Sequence, residues 1–456
     1  MQDRIFADTE EIFDFLMRFV NVEKGQATVF KLDRMSALAS RLGDPQDSMR
    51  SVHIAGSKGK GSVSSMCARI LQAEGQKPGL YTSPHILRWK ERITLGGDEI
   101  PDAAIIGEMG RILELVEGKG PGDYPGGEEP TFFELTTLLA FLVFRSLGCD
   151  CQVVETGLGG RLDSTNILRS AVSVLTPIEL EHTQFLGNTI PAIAFEKAGI
   201  MKPGKPAVVS NQKPEAMEVF RRRAAELGCP LIALEEELEI REEKVGKEGT
   251  ECLIKARKGS RSVLSSMLPS KGLYVRSPMA GLVQARNMAL AALAAAEFLP
   301  GLRLASITEG LAKASLPARF QILPTDPPVV LDGAHTPESV RLALSTMEEI
   351  FPGPKVLLFA CAQDKKHGEM ATILAPSFET IVVTKPGSFK ASDPVRVLES
   401  FRAYAPGAEL VEDTRDAITR ARSLASLRGW PLLIAGSFYL CRSEERRVGK
   451  ECRSRW

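Results

Sequence analysis

Residues 51–62 of the chain read SVHIAGSKGKGS. The apolar beginning predicts the end of a buried parallel strand, and the glycines that follow allow the backbone to turn tightly. Lys60 lies within the turn, and Ser62 opens a helical pattern that continues through residues 63–73. A strand, a glycine-rich turn and a helix N-terminus in this order point backbone N–H groups at one place, which suits a nucleotide phosphate. In such a site Lys60 would neutralise phosphate oxygens, and the Ser62 hydroxyl would suit Mg²⁺.

The spacing of this stretch differs from the common phosphate-binding loop, in which four residues separate a glycine from Gly-Lys-Ser/Thr. Here the turn is shorter, and an additional glycine, Gly61, follows Lys60. The alternative interpretation is a glycine-rich connection from strand to helix with a solvent-exposed lysine. The loop alone does not decide between the two.

The composition is that of a globular protein without a charge bias. Of the 456 residues, 44% are hydrophobic and 25% are charged, and 57 Lys and Arg balance 57 Asp and Glu. This balance gives no support for nucleic acid or an anionic membrane as the main partner. The acidic residues 1–20 lack the pattern of a signal peptide, no apolar run approaches a membrane span, and the eight cysteines are scattered. We therefore expect a cytoplasmic protein with reduced thiols.

Short apolar runs that alternate with helical patterns predict the fold class. Strand patterns occur at residues 79–82, 153–155, 172–175 and 207–210, and helical patterns lie between them. Alternation of this kind predicts a doubly wound, mostly parallel sheet with helices on both faces. Residues 236–278, in which charged and single apolar residues alternate, predict a small exposed meander.

A second alternating series follows the alanine-rich helical pattern of residues 280–298. We therefore predict a P-loop-type ATP-binding domain over residues 1–300 and a smaller Rossmann-like α/β domain over residues 301–442. Residues 443–456 are rich in Arg and Glu without an apolar period, which predicts a disordered or non-native tail.

Four polar residues follow predicted strands of the first domain, namely Ser83, Glu155, His182 and Lys197. The oxygens of Ser62, Ser83 and Glu155 suit Mg²⁺, whereas histidine is a less usual magnesium ligand. Each residue also has a simpler interpretation: Ser83 closes a turn before Pro84, Glu155 caps a helix, and His182 is a core histidine. Only their joint order favours a site.

The chain resembles the folylpolyglutamate synthase and dihydrofolate synthase branch of the Mur-type amide ligases, from about residue 30 to about residue 440. The matching segments are AGSKGKGS (55–62), YTSPH (81–85), ERI (91–93), TFFE (131–134), ETGLGGRLDSTN (155–166), EKAGI (196–200) and LDGAH (331–335). Each segment is weak alone, whereas their common order is specific, and the GLGGRLD run is nearly diagnostic.

The resemblance implies a role for each matching position. ATP would be bound by Gly56, Ser57, Lys58, Gly59, Lys60, Gly61, Ser62, Asn287, Arg319 and Asp332. Two Mg²⁺ ions would be held by Ser83, Glu155 and His182, with Ser62 nearby, and Lys60, His182 and Lys197 would be the catalytic residues. Lys197 would be carbamylated, since a CO₂ adduct turns an ammonium that repels Mg²⁺ into an anionic ligand. The pterin site would be lined by Thr131, Phe132, Phe133, Glu134, Leu162, Asp163 and Ser164.

Three positions depart from the family pattern: Ser57 replaces Thr, Glu181 replaces Asp before His182, and Thr336 replaces Asn after His335. None of them removes an implied phosphate, metal or carbamate position.

The resemblance implies an ATP-dependent ligase, expected to be a monomer, that adds L-glutamate to dihydropteroate or a reduced folate through an acyl phosphate. The alternatives are a peptidoglycan-type Mur ligase and a non-catalytic nucleotide-binding scaffold.

Overall fold

The computed structural model describes residues 6–20, 32–86, 88–387 and 391–443. The chain divides by contact into two compact units. Unit 1 contains the described part of Met1–Glu243 with Cys252–Arg276 and Ala285–Ser315, and unit 2 contains Lys244–Glu251, Ser277–Gln284 and the described part of Leu316–Trp456.

The helices within the described residues are, in chain order, α1 (Thr9–Leu16), α2 (Leu32–Arg41), α3 (Lys60–Ala73), α4 (Asp102–Val116), α5 (Phe132–Ser146), α6 (Thr183–Leu186), α7 (Ile190–Ala198), α8 (Pro214–Leu227), α9 (Leu234–Glu237), α10 (Val263–Met267), α11 (Gln284–Phe298), α12 (Leu304–Lys313), α13 (Pro337–Ile350), α14 (His367–Leu374), α15 (Pro394–Arg402) and α16 (Thr414–Arg428). The strands there are β1 (Arg50–Ala55), β2 (Pro78–Tyr81), β3 (Ile93–Leu95), β4 (Asp98–Glu99), β5 (Cys151–Glu155), β6 (Val172–Leu175), β7 (Ala207–Val209), β8 (Leu231–Ala233), β9 (Leu238–Gly246), β10 (Gly249–Ala256), β11 (Leu273–Ser277), β12 (Gln321–Leu323), β13 (Val329–Leu331), β14 (Val356–Phe359), β15 (Thr380–Val383), β16 (Glu409–Leu410) and β17 (Leu432–Ala435).

Unit 1 is built on a sheet whose strands follow the order β4-β3-β2-β5-β1-β6-β7-β8 in the described residues. The six strands from β2 to β8 in this order are parallel, and only β3 and β4 at one edge are antiparallel. The chain leaves β1 toward β2 and later returns across β1 to β6, so the crossovers run in both directions. Because parallel crossovers are right-handed, α3 and α5 cover opposite faces, and β1 lies at the switch point where ligands bind.

The core of unit 1 is formed mainly by apolar helix faces packed on this sheet. In α5, Leu135, Leu138 and Phe141 are fully buried, as are the apolar residues of β1 and β5. Strands buried on both faces read as continuous apolar runs, which is why the sequence shows their positions clearly.

Unit 2 contains a smaller mixed sheet in the order β12-β13-β17-β14-β15-β16. Its strands are parallel except for β12, which pairs antiparallel with β13. The predicted fold class is therefore confirmed: an α/β fold with a mostly parallel sheet and a second, smaller α/β sheet. The predicted meander corresponds to the three-stranded sheet β11-β10-β9.

The contact boundary lies later in the chain than residue 300, where the sequence analysis placed it. Helix α12 packs on α3 within unit 1, and a Cβ added to Gly310 would lie 2.5 Å from the Ile70 backbone. The Ser65 hydroxyl also donates to the Ser315 carbonyl at 2.8 Å. Residues 301–315 therefore belong by contact to unit 1. The predicted tail, apart from its first residue, lies outside the described residues.

Candidate active site

The Gly56 loop (residues 56–62) joins β1 to α3, as the glycine pattern predicts. Gly56 has φ +150°, and a Cβ there would lie 1.8 Å from Thr176 Oγ1, so only glycine fits. Gly59 adopts a left-handed φ of +84° at the N-cap of α3 and lies beside Asn287, whose Oδ1 would be 2.9 Å from an added Cβ. The close approach of the loop and Asn287 brings together two of the residues predicted to bind ATP.

The beginning of the Gly56 loop is fixed by the chain segment that follows β6. The N–H groups of Ser57 and Lys58 donate to the Pro177 carbonyl at 2.9 and 3.3 Å. The Ser57 hydroxyl donates to the Glu179 carbonyl at 3.2 Å and accepts from the Glu179 N–H at 3.0 Å. Ser57, which stands where the family usually has Thr, therefore uses its hydroxyl to anchor the loop. Ser62 lies buried in the first turn of α3, where N–H groups lack intrahelical acceptors.

Two lysine side chains converge on one carbonyl of this loop. The Nζ atoms of Lys60 and Lys197 donate to the Gly56 oxygen at 3.0 and 2.7 Å. Lys197, on α7, is only 2% exposed and also pairs with Glu181 Oε1 at 3.1 Å. A mostly parallel sheet edge that holds two ammonium groups beside a helix N-terminus is suited to a polyphosphate.

The charges in this cluster shift the pKa values of its members. Burial lowers the pKa of Lys197 to about 8, although the Glu181 carboxylate opposes the change. Burial acts to raise the pKa of Glu181, but the charges of Lys197, Lys60 and Lys58 outweigh it and hold this pKa at about 2. Glu181 is therefore ionised at neutral pH, and Lys197 is an amine that loses its proton far more readily than an ordinary lysine.

The predicted metal ligands lie at the same edge of the sheet. Glu155 ends β5 beside Ile54 of β1, is 3% exposed, and accepts a hydrogen bond from the Ser83 N–H at 3.0 Å. His182 follows β6, is exposed and has φ +46°. Among the described residues no three His, Cys, Asp or Glu side chains form a metal-binding group. The predicted set contains one carboxylate and one imidazole, so Mg²⁺ there would need phosphate and water oxygens as well.

The Gly157 loop (residues 157–166) follows β5 and meets the N-terminus of α5. A Cβ added to Gly157 would lie 2.4 Å from Phe133 Cζ, so the loop packs directly on this ring. Phe133 also lies 5.9 Å from Tyr81 between ring centroids. The structure thus brings together two of the segments predicted to line the pterin site.

The remaining predicted pterin residues of α5 make contacts inside the protein. Thr131 and Glu134 form a capping box, with Thr131 N–H to Glu134 Oε2 at 2.7 Å. The Glu134 carboxylate also accepts from Arg34 Nε at 3.0 Å in a buried ion pair, and Phe132 is buried. These contacts fix where α5 begins and how it presents the half-buried Phe133.

The polar side chain of Asp163 is also used within its own loop. Asp163 is 5% exposed, and its Oδ2 accepts from the Leu158 N–H at 2.8 Å. Its Oδ1 accepts from the Thr165 N–H at 3.0 Å and hydrogen-bonds to the Thr165 hydroxyl. Leu162 and Ser164, by contrast, are half-buried.

The Gly157 loop is also attached to α7, the helix that carries Lys197. The Arg161 N–H donates to the Glu196 carbonyl at 2.7 Å, and their side chains pair at 2.9 Å. Asn166 Nδ2 donates to the Gly199 carbonyl at 3.1 Å. Predicted acceptor-binding and phosphate-binding segments are therefore parts of one hydrogen-bonded framework.

In unit 2, Arg319 and Asp332 lie near the start of the mixed sheet. Asp332 accepts from the Phe320 and Ala334 N–H groups at 2.8 and 2.7 Å, and the Arg319 guanidinium lies 4.4 Å from the Phe438 ring centroid. Thr336, where the family usually has Asn, is the N-cap of α13. The predicted contacts of Arg319 and Asp332 with ATP stay predictions.

Sequence reasoning did not assign a role to Glu181, Thr176 or His53. The only signal for Glu181 is its position before His182, since nothing in the sequence shows that it meets Lys197. Thr176 leaves no room for a side chain at Gly56, but the two residues are far apart in the sequence and meet only in the folded chain. His53 is visible as a polar residue within an apolar strand.

Two sequence profiles match most of the chain. The profile of the Mur ligase middle domain matches residues 54–296, and that of the Mur ligase glutamate ligase domain matches residues 318–438. No helix within the described residues is long and apolar enough to cross a membrane.

Characterised proteins are similar to the chain over most of its length. A folylpolyglutamate synthase of Lacticaseibacillus casei is 33% identical over 414 residues, which cover 89% of this chain and 92% of that protein. A dihydrofolate synthase/folylpolyglutamate synthase of Bacillus subtilis is 35% identical over 346 residues, covering 74% and 77%. A solved FPGS-AMPPCP-folate complex superposes with a TM-score of 0.79 at 29% identity, covering 97% of this chain and 100% of that one.

Proposed function

This chain belongs to the folylpolyglutamate synthase and dihydrofolate synthase family of Mur ligases, and on that premise we propose that it joins L-glutamate to a pterin-linked carboxylate with ATP. One observation carries the proposal. Lys60 and Lys197 converge on the Gly56 carbonyl in the loop at the switch point of the sheet, beside the loop packed on Phe133.

The chemistry has two steps. An acceptor carboxylate oxygen attacks the γ-phosphorus of ATP, which releases ADP and forms an acyl phosphate. The glutamate nitrogen then attacks the acyl carbon, phosphate leaves, and the nitrogen loses a proton to give the amide. A carboxylate alone is a poor acyl donor because oxide would have to leave, whereas phosphate is a far better leaving group.

The residues of unit 1 can supply alignment and charge neutralisation for these steps. The N-terminus of α3 and the Lys60 ammonium suit the β- and γ-phosphates, and Asn287 lies beside Gly59 at the same place. Little covalent chemistry is required of the protein, so positioning and electrostatics supply most of the acceleration. The relative's AMPPCP–folate complex supports an ATP analogue and folate as ligands of this fold.

The donor set at the sheet edge fits Mg²⁺. Glu155 is a buried carboxylate, and the hydroxyls of Ser62 and Ser83 add hard oxygen donors, with His182 at the same edge. We propose that these residues hold two Mg²⁺ ions, which would neutralise charge on the transferring phosphoryl group. Lys197, a buried amine with a lowered pKa, suits the proposed carbamylation, because only the neutral amine reacts with CO₂.

Phe133 and the half-buried Leu162 and Ser164 would present the surface that meets the pterin ring. The acceptor is dihydropteroate, a reduced folate, or both. We further propose a monomer that acts in the cytoplasm, where seven free cysteines among the described residues would stay reduced.

The test is ADP release by the purified protein with ATP, Mg²⁺ and glutamate, comparing dihydropteroate with tetrahydrofolate as acceptor. Release that requires both glutamate and a pterin acceptor supports the proposal, and the preferred acceptor assigns the synthase or the chain-extending activity. Turnover of a nucleotide-sugar peptide instead would favour a peptidoglycan-type ligase. Nucleotide binding without release in any combination would favour a scaffold.

A further inference from the structure

A histidine lies buried in the strand that leads to the Gly56 loop. His53 of β1 is fully buried between Val154 of β5 and Ser173 of β6 in the strand register. Its Nε2 lies 2.8 Å from the Thr165 hydroxyl, which belongs to the Gly157 loop. This contact links the phosphate-binding strand to the proposed acceptor-binding loop.

The hydrogen-bond partners fix the direction of this link. The Thr165 hydroxyl also bonds to Asp163 Oδ1, and a carboxylate accepts, so the hydroxyl proton points to Asp163. The Thr165 oxygen therefore accepts from His53, which carries its proton on Nε2. Burial and the nearby charge of Lys202 lower the pKa of His53, so its ring is neutral. The ring's Nδ1 has no hydrogen-bond partner within the described residues.

The same carboxylate holds both ends of the Gly157 loop. Asp163 accepts from the Leu158 N–H on one side and from the Thr165 N–H on the other. The loop is thus closed on Asp163, and His53 donates to the Thr165 hydroxyl, which connects this closed loop to the sheet. His53 lies three residues before Gly56, in the strand that leads into the Gly56 loop.

We propose that His53 is a positioning residue that, through Thr165 and Asp163, sets the place of the acceptor-binding loop relative to the Gly56 loop. The inference rests on the proposed function only for the identity of the acceptor. Without the donor the buried Thr165–Asp163 pair would lose its tie to the sheet, and the loop would shift or become mobile. The acceptor carboxylate would then lie less often in line with the γ-phosphate, while nucleotide binding would be retained.

Two substitutions of matched chemistry test the link. In His53→Gln the amide nitrogen can take the place of the imidazole Nε2, whereas in His53→Asn it falls short of Thr165. We expect His53→Asn to raise the KM for the pterin acceptor about tenfold, with the KM for ATP unchanged, and His53→Gln to stay close to wild type. Thr165→Val should match His53→Asn, and Thr165→Ser should match wild type.

Amide hydrogen exchange over residues 157–166 gives a readout that needs no acceptor. We expect faster exchange of these amides in His53→Asn and Thr165→Val but not in their Gln and Ser counterparts. Equal behaviour of Asn and Gln, or a parallel rise in the KM for ATP, would overturn the proposal. If the wild-type protein turns over no pterin acceptor, the proposed function fails, and the exchange comparison still decides the role of His53.

Discussion

The two glycine-rich loops of unit 1 follow neighbouring parallel strands but use their polar groups in opposite ways. In the Gly56 loop, two lysine ammonium groups converge on a single backbone carbonyl at the N-terminus of α3. In the Gly157 loop, the carboxylate of Asp163 binds the N–H groups of its own loop, and Arg161 binds α7. One loop concentrates positive charge, whereas the other satisfies its polar groups internally.

The difference indicates a division of labour. Charge gathered at one point can act on a phosphoryl group, whereas a loop closed on its own carboxylate offers a rigid surface. Removal of the Lys60 ammonium should therefore change turnover with little effect on folding. Substitutions in the Gly157 loop should change stability and the affinity for the acceptor.

The largest effect is expected for Lys60→Ala. Removing this ammonium deletes positive charge from the proposed γ-phosphate position, and we expect kcat to fall by about 100- to 1000-fold. Lys313→Ala is the matched control, because Lys313 is an exposed lysine that pairs with Glu309 at the surface of α12. ADP release and the thermal midpoint of unfolding are measured for both variants. A Lys60→Ala variant that lost stability but kept its kcat would contradict the proposed difference between the two loops.

A smaller effect, on stability, is expected for Gly157→Ala. The new methyl group would overlap the Phe133 ring, and we expect a loss of about 1–3 kcal/mol in the free energy of unfolding. Adding Phe133→Leu should restore part of this loss, because a smaller side chain relieves the overlap. Gly107→Ala is the control, since nothing lies within 4 Å of that Cβ position in α4.

Urea unfolding of these variants gives the free energies. Equal losses for Gly157→Ala with and without Phe133→Leu would mean that the loop does not rest on the ring. The Gly157 loop would then be held by its hydrogen bonds, among them those to α7 and to His53, rather than by the ring.

The sequence predicts the two loops to different extents, for a physical reason. The strand, turn and helix around the Gly56 loop are predicted correctly because apolar runs and glycines act locally. The bounds of α8, Pro214–Leu227, follow from equally local signals, since a proline begins the helix and a glycine follows it. The boundary predicted at residue 300 differs from the contact boundary, because the local sequence pattern does not show that α12 packs on α3.

The internal bonds of the Gly157 loop could not be predicted in this way. Asp163 and Glu134 were assigned to a pterin site from the family pattern, and that pattern cannot show that Leu158, Thr165 and Arg34 bind them. Pairings across many residues depend on the folded chain, so their assignment to the pterin stays a prediction. The ion pair of Glu181 with Lys197 could not be predicted from the sequence either, because it too depends on the folded chain.

The smallest effect expected is a pH dependence at Lys197, where the two loops meet through α7. Because burial lowers its pKa to about 8, the neutral amine is the minor form below pH 8 and the major form above it. At constant dissolved CO₂, carbamate formation should therefore rise roughly tenfold between pH 7 and pH 9. An ordinary lysine with a pKa near 10.5 would still be mostly protonated at pH 9. ¹³C NMR of the protein with labelled CO₂ measures the adduct.

Lys202 provides the matched control for this experiment. Burial also lowers its pKa to about 8, but its amine donates to the backbone and side-chain oxygens of Asn166 in the Gly157 loop rather than to Gly56. We expect Lys197→Met to abolish the carbamate signal and Lys202→Met to retain it. A signal that survives in Lys197→Met and disappears in Lys202→Met would place the reactive amine beside the Gly157 loop. The proposed difference in role between the two loops would then be wrong.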